Sequence, residues 1–374
     1  MINIKKVSTS KDLAGFIDFP HHLYKDDVNY VPELFIAQRD LLDVKKHPFS
    51  KHSKLDLFVA IRDNKIVGRI AAIRNNNHLK YYSNSKDGFW GFFDVINDYT
   101  VAEKLFDTVS AWVKSEGLST IIGPVNYSTN ETCGVLVQGF DSPPVVMMTY
   151  NKDYYPEFIE KYGYRKKMDL IAYHLKTDEL SDRTVNLVAR LEDRLKLRGI
   201  TIRTVNIKEF QKEVQKIKEI YNSAWDKNWG FVPMTDEEFE VMAKDMKMIL
   251  DPDFCYLAEH NGKPVGFSLA IPDMNQVFIT IKKGRLLPTG LFKLLFNKGK
   301  VNKMRVITLG VVEEYRKMGI EASFYARNII TARKKNIVSA EAGWILETNE
   351  MMNKALLNIN AEPYKKYRMY ELAL

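Results

Sequence analysis

The sequence predicts an α/β protein built from two mixed-sheet units in tandem. Three observations lead there. At 374 residues the chain exceeds one ordinary core and suits two domains. Patterns of period 2 and period 3.6 alternate along it. The chain also echoes itself: DLFVAIRDNKIVGRIAAI (56–73) matches FCYLAEHNGKPVGFSLAI (254–271), with Gly68 aligned on Gly266. A second echo falls at the same offset, where NKDYYPEFIEKYGYRKKMDLIAYHL begins at Asn151 and NEMMNKALLNINAEPYKKYRMYELAL at Asn349. Two echoes in register predict duplication of one unit, over 1–176 and 200–374, with a linker where Lys176-Thr177-Asp178-Glu179 breaks the pattern.

Each half reads as helix, hairpin, strand, helix, strand, helix, strand. The hairpin turns are Asp63-Asn64 and Asn261-Gly262, residue pairs that tolerate positive φ. In the first half GFWGFFDVI predicts a strand, Thr100 the cap of the helix VAEKLFDTVSAWVKSEG, and STIIGPVN the next strand. In the second, MRVITLGV predicts a strand, ASFYARNIITARKKN a helix and NIVSAEAGW a strand. Alternation implies parallel pairing, and the early hairpin makes each sheet mixed. The halves differ by a long insertion, GPVNYSTNETCGVLVQGFDSPPVVMMTYN (123–151), whose length suggests function.

The composition, 45% hydrophobic and 27% charged, is that of a folded chain. Two cysteines, Cys133 and Cys255, have no ligand or disulfide spacing, so reduced thiols and no metal are expected. The start, MINIKKVSTSKDLAGF, lacks a signal-peptide core, and no run of 18 apolar residues occurs, so a cytoplasmic location is expected. The net charge of +8 favours anionic partners: a nucleotide cofactor, nucleic acid or a membrane surface. Between Lys282 and Arg305 there is no acidic residue among many basic ones, interleaved with Leu and Phe. That segment is either a solvated stretch whose lysine stems cover apolar surface or a rim that attracts an anionic substrate. His21-His22 reads as a helix end, and nucleotide P-loop, dinucleotide, nucleophile-elbow and zinc-protease motifs do not occur.

The stretch VITLGVVEEYRKMGIEASFYARNII (306–330) carries the chemistry. A strand ends at Val311, a turn spans Arg316-Lys317-Met318-Gly319-Ile320, and a helix follows near Ala322. Unpaired amides and the helix dipole make such a start an anion site. Gly319 lets a backbone approach a pyrophosphate, and Arg316 and Lys317 add charge.

In its full order, hairpin, strand, turn, helix, strand and a helix opening at Asn349, this half resembles the GNAT N-acyltransferase superfamily. The chain as a whole is similar to tandem-GNAT bacterial proteins. The resemblance implies that Val311 pairs with pantetheine through its backbone and that Arg316, Lys317, Met318, Gly319, Ile320, Glu321, Ala322 and Asn349 surround acetyl-CoA or another acyl-CoA. It implies acyl transfer to a small-molecule amine, with aminoacyl-tRNA as an alternative donor and a non-catalytic acyl-CoA sensor as an alternative role.

Two positions depart from the family pattern. Glu321 stands where the turn ends in Gly or Ala; a carboxylate about 5 Å from a phosphate would cost on the order of 3 kcal/mol, roughly a hundredfold in affinity. Leu356 occupies the place of a tyrosine that protonates the leaving thiolate. For the base, Glu259 and Glu347 are the candidates. For the acceptor, Asp273 and Asn275 in IPDMNQ and the uncharged Asn126, Asn130 and Tyr150 of the insertion are the candidates.

Overall fold

The duplicated hairpins form with one and the same irregularity. After β1 (Asn3–Lys6) and α1 (Ser10–Leu23), β2 (Lys54–Arg62) turns into β3 (Lys65–Arg74). Asp63 and Asn64 both take positive φ, 50° and 60°. Ala60 faces Gly68, and the register slips between Ala60 and Ile61. Next come β4 (Asp87–Val95), α2 (Tyr99–Ser115), β5 (Thr120–Gly123), β6 (Val125–Asn126), β7 (Ser128–Cys133), β8 (Val135–Gln138), α3 (Tyr155–Tyr162) and β9 (Arg165–Lys176). The cap of α2 is Asp98, whose carboxylate accepts from Thr100 N (3.0 Å), rather than Thr100 itself.

The second half repeats the scheme with α4 (Asp182–Leu197), β10 (Ile200–Thr204), α5 (Phe210–Ala224), β11 (Cys255–His260) and β12 (Lys263–Pro272). Here Ala258 faces Gly266 and the slip lies between Ala258 and Glu259, the same place in the repeat. Then follow α6 (Leu291–Asn297), β13 (Lys303–Val311), α7 (Ile320–Lys334), β14 (Ser339–Leu346), α8 (Glu350–Leu357) and β15 (Glu362–Ala373).

This computed structural model describes residues 1–177, 182–226 and 228–374. Asp178 and Glu179 of the expected linker lie outside the described residues. The chain divides into two compact units: Met1–Leu170 with Asn275–Gly299 and Lys365–Leu374, and Ile171–Met274 with Lys300–Tyr364. The segment Asn275–Gly299 and the end of the last strand therefore pack with the first unit, although sequence order puts them in the second half.

In the first unit the strands run β1-β2-β3-β4-β5-β15, with β8 also on β15. The β4–β5 pair is parallel and all other pairs along this path are antiparallel, giving the expected mixed sheet. Helix α2 buries Val101, Leu105, Phe106, Val109 and Val113 completely against Phe58, Ile70 and Trp90. That spacing of 3 and 4 is the apolar stripe expected of an amphipathic helix. In the second unit the order is β14-β13-β12-β11-β10. Val311 packs with Ile320 and Phe324 of α7, while Leu257 and Phe267 pack with Ile220 of α5 and Trp225.

The parallel pair of the first unit is short. Pairing of β4 with β5 ends at Phe89 and Ile122. Beyond it the chain's own β6–β7 ribbon lies against β4: Asn126 Oδ1 accepts from Phe92 N (2.9 Å), and a Cβ on Gly91 would stand 1.8 Å from Val125 O. Gly91→Ala must push backbone away from backbone. It is expected to destabilise the protein by about 1–3 kcal/mol, read as a lowered midpoint in thermal unfolding; an unchanged midpoint would show that the ribbon is not seated on β4.

Candidate functional site

The second unit has the same opening without the ribbon. Strands β13 and β14 pair in parallel from Lys303–Ser339 to Val306–Ala342 and no further. On the other side β13 stays paired to β12 as far as Val311 opposite Gly266, past a slip beside Leu269 and Ala270. Val312 N donates to Val265 O (2.9 Å). Groups alternate along a strand, so the Val311 amide points away from β12, into the opening. Val311 O, on the same side, accepts from Arg316 Nε (3.1 Å).

Arg316 also donates from Nη2 to Ala224 O (3.0 Å), so its guanidinium staples the turn to the ends of β13 and α5. Lys317 is exposed at φ 64° and Gly319 sits at φ 98° as the residue before α7. That left-handed φ is what calls for glycine; a Cβ there would also meet the Leu191 side chain of α4, 2.5 Å from Cδ2, which would have to move. Ile320 is fully buried, Met318 packs beside it, and Ala322 is exposed. No side chain of the preceding residue caps α7.

Glu321 half fills that role. Burial pushes its carboxyl above the ordinary range, while its own backbone N–H and the charge of Arg316 pull the other way. The carboxylate stands in the first turn of α7, the end of the helix that an anionic ligand would use. One turn on, burial and then the Glu321 charge raise Tyr325, whose hydroxyl meets Met352 Sδ of α8 (3.8 Å).

Asn349 opens α8, but its Oδ1 accepts from Met352 N (3.2 Å) and so serves as a cap. Leu356 is fully buried with Tyr173, Ala342 and Ala361, and Tyr325 packs against this cluster. Tyr173 donates to Asn353 Oδ1 (2.9 Å). Two tyrosine hydroxyls from other elements thus reach α8, the helix on which the family pattern places one.

At the apex of the opening stands a polar cluster that sequence reasoning missed. Glu341 of β14 faces Arg305 of β13 in register, and both are buried. Glu341 accepts from the Tyr364 hydroxyl, and the His174 ring lies edge-on to Tyr364, centroids 5.7 Å apart. Arg305 donates to Gly343 O from Nη2 (2.9 Å) and Nε (3.2 Å). On β13, Thr308 Oγ1 is buried without a hydrogen-bond partner among the described residues. The signal in the sequence was slight: a glutamate inside a run of small strand residues, SAEAG.

The other expected residues are placed elsewhere or already engaged. Glu259 accepts from Arg203 Nη2 (2.9 Å) and Nε (3.0 Å) and from Lys216 Nζ (2.8 Å). The Arg203 hydrogen bond chiefly holds its carboxyl below the ordinary range, which suits an ion pair and not a base at neutral pH. Glu347 follows β14, half-buried, and its carbonyl accepts from Asn353 Nδ2 (3.3 Å). Asp273 is buried in the second unit, its amide donating to Lys303 O (2.9 Å).

Asn275 belongs to the first unit and donates to Pro144 O (2.9 Å). Asn126 spends both amide atoms there, on Phe92 N and on Thr132 Oγ1 (2.7 Å). Asn130 lies in β7 with its amide on Ser128 Oγ (3.1 Å), and Tyr150 donates to Asp27 Oδ1 (3.0 Å). These four serve the packing of their own unit. No group of residues able to hold a metal ion occurs among the described residues.

No family model matches the chain. Among solved structures, it is similar to a tandem GNAT protein from the clavulanic acid biosynthesis pathway (TM-score 0.57, 11% identity, all of this chain and 98% of that one). A GCN5-related N-acetyltransferase from Sphaerobacter thermophilus is also similar (TM-score 0.54, 11% identity, all of this chain and 95% of that one). These likenesses concern the fold, which is that of tandem GNAT acyltransferases. Two curated proteins match over nearly the whole length. Protein YghO of Escherichia coli K12 is 37% identical over 98% of this chain and 94% of its own. A bacterial ceramide synthase of Caulobacter vibrioides is 33% identical over all of this chain and 98% of its own. With that identity across both full lengths, the chain belongs to the same family as YghO and the bacterial ceramide synthase, built on the tandem GNAT fold.

Proposed function

We propose that the protein is an acyl-CoA-dependent N-acyltransferase whose second unit binds the cofactor and whose acceptor is the amine of a long-chain amino alcohol. The observation that carries the reading is the opening between β13 and β14, flanked by the outward Val311 amide and by the start of α7 behind Gly319. The acceptor class comes from the relative described as a ceramide synthase, a ceramide being the amide of such an amine.

The amine lone pair attacks the thioester carbonyl, the carbon–sulfur bond breaks, and CoA leaves as a thiolate. In this reading the Val311 N–H receives the oxyanion. Glu341, beside Tyr364 at the apex, is the base for the ammonium proton in this reading, replacing Glu259. The thiolate takes its proton from Tyr325, Tyr173 or water; the raised Tyr325 stays protonated and able to donate.

The test is to incubate the protein with acetyl-CoA or a long-chain acyl-CoA and sphinganine, measuring free thiol and the mass of the amide. Thiol release that depends on the amine, with the amide formed, is expected. Binding of acyl-CoA without thiol release would leave a sensor, the reading favoured by Leu356 and Glu321. Absence of binding would remove every CoA reading and leave aminoacyl-tRNA as the alternative donor.

A further inference from the structure

The basic segment does not cover its apolar side chains. Around α6, Leu287 is 76% exposed, Leu291 40%, Phe292 61%, Leu295 66% and Phe296 75%. Leu287 lies in extended backbone (φ −101°, ψ 144°) at a kink before α6, and a 3-10 turn over Lys298–Lys300 follows the helix. Large apolar side chains grouped this way are uncommon on a water-facing surface and mark a contact site.

The charges beside them have one sign. Lys282, Lys283, Lys293 and Lys298 flank the apolar group, and no Asp or Glu occurs from 282 to 303. Lys293 reaches back to Thr280 O (2.6 Å). Arg285 is not available to a partner in the same way: it pairs with Asp18 (2.7 Å) and lies 3.4 Å over the Phe35 ring. Arg305 at the end of the segment is buried and bound to Gly343 O, so it contributes nothing to this face.

We propose that Lys282–Lys298 is a membrane-docking element that lays Leu291, Phe292, Leu295 and Phe296 into the headgroup region of an anionic lipid leaflet, with the lysines on the phosphates. Basic residues beside exposed Leu and Phe on a short helix are the composition of an interfacial segment. No helix among the described residues is long and apolar enough to cross a membrane. A second copy of the chain would bring two like-charged faces together, and RNA would use the lysines but leave the aliphatic side chains in water. The inference does not depend on the proposed reaction, since docking is read without acyl-CoA.

The test is flotation of the full chain with phosphatidylcholine vesicles containing about a third phosphatidylglycerol, a fraction at which each basic residue strengthens partitioning about fivefold. Phosphatidylcholine alone is the control. The wild type is expected to float with the anionic vesicles and far less with the neutral ones. Phe292→Ser with Phe296→Ser should weaken partitioning by about a hundredfold, near tenfold per ring. Lys282→Glu with Lys283→Glu and Lys298→Glu should abolish the preference for anionic lipid. Unchanged thermal midpoints in both variants show that they fold.

Any of these results would overturn the proposal: no flotation of the wild type, flotation unaffected by either variant, or sedimentation velocity showing a dimer that the Phe variant dissolves. Retention of the wild type on tRNA together with no flotation would do the same.

Discussion

Glu341→Gln is expected to lower kcat for amine acylation by about 10²–10⁴-fold, the range for loss of a positioned base, with the KM for acyl-CoA little changed. Glutamine keeps an oxygen for the Tyr364 hydroxyl and the volume beside Arg305, so the apex stays packed. The rate is measured by thiol release under saturating amine. A kcat within threefold of wild type would make the Glu341–Tyr364–Arg305 cluster a packing device and reopen Glu347 as the base.

Glu321→Ala is expected to tighten acyl-CoA binding by about tenfold to a hundredfold, the size of one carboxylate–phosphate repulsion at a partly buried site. The carboxylate sits in the first turn of α7, so its removal takes a negative charge away from the helix start. The pH dependence has a defined sign. Burial raises the folded pKa above the ordinary carboxylate value, so the native state favours the protonated form. Stability from this group declines as pH rises from the ordinary value through the raised one, and a phosphate nearby would raise it further.

Binding by the wild type should therefore tighten as pH falls toward the acid range, and Glu321→Ala should flatten that dependence. Titration calorimetry at several pH values reads both. Equal affinities for the two proteins would place the Glu321 carboxylate away from the ligand.

The hairpins, the order of elements and the mixed sheets were legible because they depend on local chemistry: positive-φ turn residues, alternating apolar strands, and a repeat that kept even its register slip. The turn before α7 was legible for the same reason, since Gly319 and its neighbours are contiguous. What was hidden depends on partners far along the chain. Glu341 reads as an ordinary strand glutamate until β13 brings Arg305 beside it and Tyr364 arrives from the following strand. Asn126 reads as a free amide until β4 offers Phe92 N. Glu259 reads as a candidate base until Arg203 and Lys216 converge on it. Leu356 stands where the resemblance places a tyrosine, and the hydroxyls that reach α8 come from Tyr173 and Tyr325, on elements far away in sequence.

The ribbon seated against β4 has a consequence for counting. In the first unit the chain supplies, through Asn126 and Val125, contacts along the strand that in the second unit carries the outward Val311 amide. In one copy of the duplicated sheet the chain's own ribbon lies where the other copy has an open strand. The protein should then titrate with a stoichiometry of one nucleotide per polypeptide, without the biphasic isotherm that two inherited sites would produce.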